Sequence, residues 1–161
     1  MALHTQTMPG LDHRTIEKIN DLVQLNLDCV KGFNDGADRI DDAGVASLFR
    51  ELAVERQSQA DELRSVAARG RVPEDSGSAI GTMHRLWMDF RAAINAGDAY
   101  VILIECERGE DRIKEAYQEL LDETHGAPDT HLHEVLMRQY EQVLAAHDRI
   151  RRLRDALKQQ R

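Results

Sequence analysis

Glu110 interrupts an oily line. In the segment ECERGEDRIKEAY, residues 105–117, Cys106, Ile113 and Tyr117 recur at helical spacing, and the line passes through Glu110 on its way to Leu120. An earlier pattern carries a similar intrusion: between Leu52 and Leu63 the inward side must be filled by some of Glu55, Arg56, Gln59 and Ala60. Two further apolar series each hold one amide, Asn26 in the first and Gln139 in the last. Buried charge is costly unless it is paired or metal-bound, so four inward polar groups, Asn26, Glu55, Glu110 and Gln139, mark a candidate site. Two chemistries use such a set. Carboxylates from separate helices hold hard metal ions, which makes Glu55 and Glu110 candidate ligands for iron or manganese. Alternatively, the polar groups satisfy one another, with Asn26 or Gln139 donating to Glu110, the Tyr117 hydroxyl joining in and Arg56 balancing the charge.

The elements that must position these groups are helices. Ile16, Ile19, Val23, Val30, Phe33, Ala37 and Ile40 step by threes and fours, which predicts a helix from about His13 to Ile40. DDAG at 41–44 makes a corner, with Asp42 placed to cap a second helix over about Ala43–Arg69. RGRVPEDSGSAIG ends it, and a shorter amphipathic segment follows with Met83, Leu86, Trp87, Phe90 and Ile94 on one face. That face either covers the open side of the chain's own core or buries against a second subunit. NAGD at 95–98 breaks the segment, and two more helices are expected over Ala99 to about Glu123 and about His131–Leu157. Helices of this length extend roughly 40 Å at about 1.5 Å per residue. Two hairpins joined by one long crossover define an antiparallel four-helix bundle, expected as one domain over 13–161 behind a flexible segment at 1–12.

Along the first helix, INDLVQLNLDCVKGF resembles the bacterioferritin template, and over about 13–157 the pattern resembles the ferritin-like superfamily. The whole chain also looks like a bacterial family of ferritin-like four-helix-bundle proteins with no assigned function. The resemblance implies a ferritin-like all-α fold whose crossover contains a short extra helix. It places Asn26 where that superfamily carries its first ligand Glu, and Glu55 at the second helix's Glu with Ser58 in the His slot. Glu110 falls at the third helix's Glu, while Gln139 and Gln142 occupy the Glu and His slots of the last. Di-iron bundles use one Glu from each of two helices and a Glu-x-x-His from each of the other two. Here two of the four carboxylates are amides and neither Glu-x-x-His is present, so Glu55 and Glu110 read as remnants of a metal site.

Other groups read more plainly. His125, His131 and His133 cluster at one predicted bundle end without closed-site spacing, and His147 lies one residue off its stripe. Cys29 and Cys106 fall within helical patterns and read as reduced, partly buried thiols. HDRIRRLRDALKQQR is basic, which complements a helix C-terminus, while the net charge of −8 disfavours nucleic acid and anionic membranes. The chain is 31% charged with only 4% aromatic residues, which suits long helices rather than a sheet. No apolar leader, Gly-rich phosphate loop or nucleophile elbow is present. These observations predict a cytoplasmic protein without catalytic residues or a cofactor, acting through protein association, as a homo-oligomer such as a dimer, in stress or storage physiology. A metal-binding protein or oxidase is the alternative, and a nucleic-acid-binding bundle the second.

Overall fold

The computed structural model describes residues 11–69, 80–126 and 130–161. Among them the chain is all-helical: α1 is His13–Arg39, α2 Ala43–Ala68, α3 Ile80–Ala96, α4 Ala99–Glu123 and α5 Thr130–Lys158. Aspartates start three of these. Asp12 accepts from the Thr15 amide at 2.7 Å, Asp42 from Val45 at 3.0 Å and Asp98 from Tyr100 at 3.0 Å, each satisfying an amide that the first turn leaves without a partner. Gly97, at φ +77°, ends α3 in the left-handed conformation that glycine tolerates best. The expected segment at 1–12 lies outside the described residues except at its end, where Leu11 packs on the core and Asp12 caps α1. No helix among the described residues is long and apolar enough to cross a membrane.

The four long helices share lateral faces, and neighbours run antiparallel. Across α2 and α5, Glu51 meets Arg149, Gln59 meets Gln142 and Glu62 meets Arg138, one number rising as the other falls. Lys18 with Glu123 and Asn26 with Tyr117 order α1 against α4 in the same way. Tyr117 with Gln139, Asp111 with His147 and Glu107 with Arg154 do so for α4 and α5. The α1–α2 hairpin closes on an aromatic contact, Phe33 to Phe49 at 5.4 Å between ring centroids. α3 lies against both α1 and α4, burying Phe90, Ala93 and Ile94. The side chains of Met83, Leu86 and Trp87 lie outside the described residues, so the expected apolar face is described at Phe90 and Ile94.

The apolar interior is split. One cluster gathers Ile19, Leu22 and Leu25 of α1, Ala60, Leu63 and Val66 of α2, Ile113, Tyr117 and Leu120 of α4 and Leu132, Leu136 and Val143 of α5. The other gathers Phe33, Ala37, Val45, Phe49, Leu52, Phe90, Ile94, Ile102, Leu103, Cys106, Ala146 and Ile150. Between them, at mid-height, lie the buried side chains of Asn26, Arg56, Gln59, Glu110 and Gln139.

Candidate functional site: a polar layer across the core

Asn26, Arg56, Gln59, Glu110 and Gln139 are each no more than 3% exposed, although polar residues normally reach solvent. Helix phase explains why each points inward. Asn26 continues the α1 line through Leu22, Glu110 that of Cys106 and Ile113, and Gln139 that of Leu132 and Leu136. On α2 the line runs Leu52, Arg56, Gln59 and Leu63, in steps of four, three and four. This departs from the sequence expectation, which gave the inward position to Glu55. One residue off that line, Glu55 sits half-buried at the edge of the layer, and Ser58 faces solvent.

Two connected chains of hydrogen bonds fill the layer. In the first, Asn26 Nδ2 donates to the Leu22 carbonyl and to Tyr117 Oη, both at 3.0 Å, and the phenol donates to Gln139 Oε1 at 2.7 Å. Gln139 Nε2 then donates to Glu62 Oε1 at 2.8 Å and to the Gln59 carbonyl at 3.3 Å. In the second, Arg56 Nη2 pairs with Glu110 Oε2, and its Nη1 donates to Gln59 Oε1 at 2.8 Å. Gln59 Nε2 passes the chain to Gln142 Oε1 at 3.0 Å. Glu110 therefore takes its charge partner from α2 rather than a donor from Asn26 or Gln139, which are instead joined through Tyr117. Four buried atoms have no hydrogen-bond partner among the described residues: Asn26 Oδ1, Glu55 Oε1, Arg56 Nε and Glu110 Oε1.

Burial shapes the electrostatics. Desolvation pushes the Glu110 carboxyl above the usual carboxylate range, while the Arg56 charge pulls it back. Burial opposes the Arg56 cation, but the Glu110 charge beside it more than restores it. The pair is ionic, because arginine does not give up its proton in proteins and a neutral Glu110 would leave a buried cation uncompensated. Cys29 and Cys106 are free thiols, half-buried and buried. Desolvation and the nearby Glu110 charge push Cys29 up to about 12, and Cys106 rises well above its ordinary value for the same reasons. Both are protonated at neutral pH and are poor nucleophiles. Burial also raises the Tyr117 phenol.

His147, the edge histidine of α5, has Nε2 at 2.7 Å from Asp111 Oδ1 and 3.8 Å from Glu107 Oε1, and its field reaches Glu110. His125, His131 and His133 are exposed. Among the described residues no group of three or more His, Cys, Asp or Glu side chains has the arrangement of a metal site. Gln59, one of the residues the sequence allowed inward, joins the two halves of the layer, and Glu62, which the sequence reading missed, ties it to the surface through Arg138 at 2.7 Å. The four- and three-residue spacing from Leu52 to Leu63 is the signal for Gln59. Nothing in the pattern around Glu62 separates it from a solvated acid.

The structure thus defines an all-helical protein with an ion-paired polar layer through its core. A family model described as a domain of unknown function (DUF2383) matches residues 14–123, about two thirds of the chain, and the chain belongs to that family. No curated protein matches it.

Proposed function

We propose that the chain is a ferritin-like antiparallel four-helix bundle, with α3 carried on its long crossover. Its mid-height layer stands where related bundles hold metal, and the protein acts by association as a cytoplasmic homo-oligomer, in stress or storage physiology, without catalysing a reaction. The antiparallel order on four lateral faces supports the architecture. The Arg56–Glu110 pair carries the functional proposal. Residues present in the layer do not fit a di-iron group: Asn26 and Gln139 are neutral amides, Ser58 is exposed, and a guanidinium occupies one oxygen of Glu110. Arg56 itself supplies the positive charge that balances the acids, and a second cation beside it would meet repulsion. Both thiols are held protonated, so the layer offers no activated nucleophile.

Elemental analysis of chelator-free protein, together with its solution mass, tests the proposal. Iron and manganese far below one equivalent per chain and a mass above the monomer are expected. Stoichiometric metal, or turnover of Fe(II) with oxygen, would overturn it.

A single hard ion held by Glu55 and Glu110, helped by His147, is the second reading. It is favoured by the partnerless Oε1 atoms of both carboxylates. Glu55→Gln and Glu110→Gln should then each abolish metal binding, and equal, low metal content in all three proteins would remove it. Nucleic-acid binding is disfavoured, because Arg149, Arg151 and Arg154 in α5 and Arg161 beyond its end each already engage a carboxylate.

A further inference from the structure

Three of the unpartnered buried atoms belong to neighbouring groups and ask for opposite things. Glu110 Oε1 and Glu55 Oε1 need a donor, while Arg56 Nε needs an acceptor. The two members of the ion pair touch through Arg56 Nη2 and Glu110 Oε2. Nε shares one edge of the guanidinium with Nη2, and Oε1 shares the carboxylate with Oε2, so the two open atoms flank a contact already made. Glu55 is the preceding residue of α2, and its charge acts on both Arg56 and Glu110. A metal ion would serve the two carboxylates but repel the guanidinium and leave the Nε hydrogen unmet. An anion would do the reverse. A small neutral group that both donates and accepts answers all three, and water is such a group.

The helix register leaves room for it. Glu51 with Arg149, Gln59 with Gln142 and Glu62 with Arg138 are rungs between α2 and α5. That register sets Ala145 and Ala146 opposite Glu55, so at this height methyl groups stand where long side chains cross above and below. Ala146 is buried, Ala145 exposed and Glu55 half-buried, so the gap opens on solvent at one side. We propose that the α2–α5 face carries a water-binding notch at mid-height, where a held water accepts from Arg56 Nε and donates to Glu110 Oε1 and Glu55 Oε1. Buried waters typically make about three hydrogen bonds of this kind. A single held molecule completes the hydrogen bonding of the pair without solvating its charge, so Arg56 and Glu110 still depend on each other. The inference does not rest on whether the protein associates.

Magnetic relaxation dispersion of the water oxygen nucleus, on the full chain without added metal, measures water held longer than the tumbling time. A contribution of about one water per chain is expected from this notch. Arg56→Met/Glu110→Leu removes both ion-pair partners of that water and should lower the dispersion amplitude by about one water. Val54→Ala, on the exposed outer face of α2, should leave the amplitude unchanged. Glu55→Leu removes the remaining partner and fills the notch, and it carries the same expectation as the double variant should that protein be too unstable to assay. A wild-type protein without long-lived water would overturn the proposal, as would an amplitude that the ion-pair and Glu55 variants leave unchanged. So would a crystal structure in which Arg56 Nε bonds Glu110 Oε1 directly, or in which an ion sits in the notch.

Discussion

Removing the Arg56 cation while leaving Glu110 in place is the sharpest perturbation of the core. Both side chains are essentially without solvent contact, at 0% and 1% exposure, so the surviving carboxylate could not be rescued by water without rearrangement. Loss of one member of such a pair costs about 3–5 kcal/mol. Arg56→Met also leaves Gln59 Oε1 without its 2.8 Å donor, an addition of about 1 kcal/mol or more. Glu110→Leu mirrors the experiment by stranding the cation. Against a total stability of about 5–15 kcal/mol, either single change is severe. At roughly 2–4 °C per kcal/mol for a domain of this size, the melting point falls by about 6–20 °C. The double variant Arg56→Met/Glu110→Leu fills similar volume with apolar groups and leaves no buried charge. It should return to within about 1 kcal/mol of the parent, or exceed it. Urea unfolding followed by circular dichroism measures all four proteins, and similar slopes would show that their unfolded states are comparable. Single variants that each lose less than about 1 kcal/mol, or a double variant whose loss equals the sum of the singles, would refute a tightly coupled ion pair at the centre.

Three further outcomes follow from local geometry. Gly109 lies in α4 with nothing within 4 Å of an added Cβ, so Gly109→Ala should stabilise the chain by about 0.5–1 kcal/mol, read as a higher melting point. Gly36→Ala should do the reverse, losing about 1–3 kcal/mol in the same assay, because its Cβ would stand 2.9 Å from Phe49 Cδ2 and 3.0 Å from Cε2. The Glu62 carboxyl is held below its ordinary range, first by its bond from Arg138 and then by that from Gln139. On acidification the unfolded chain therefore takes up this proton before the folded one does. The stability contributed by Glu62 is present above the ordinary carboxylate pKa and is lost as pH falls through its lower folded value. Glu62→Gln should flatten that acid limb in a pH series of urea midpoints, and an unchanged limb would show that the pair contributes nothing to it.

Much of the architecture was legible because long amphipathic helices announce themselves. Ala99–Glu123 was predicted and found with the same ends, and the Asp42 cap was anticipated from its place before an apolar run. Asn26, Glu110 and Gln139 were also readable as inward, since each interrupts an otherwise apolar series. The α2 phase was not, because Leu52 and Leu63 leave room for a carboxylate, a guanidinium and an amide within one stretch. The expectation of an inward Glu55 took the residue type that suits a metal over the one that keeps the spacing. Partner choice was less legible still. Whether Asn26 bonds Glu110 or Tyr117 depends on how far one helix slides past another, and a one-dimensional period carries no information on that. Arg56 was readable as the charge that balances Glu110, and the structure pairs the two.

The divided interior also bears on how such a chain tolerates change. Leu63 belongs to one apolar compartment and Leu103 to the other, with charged and amide side chains in between. Truncations at the two positions should therefore add as independent losses rather than compound. One end of the molecule can be rebuilt over many generations while the other keeps its packing, so the sequence is free to drift in two separate halves.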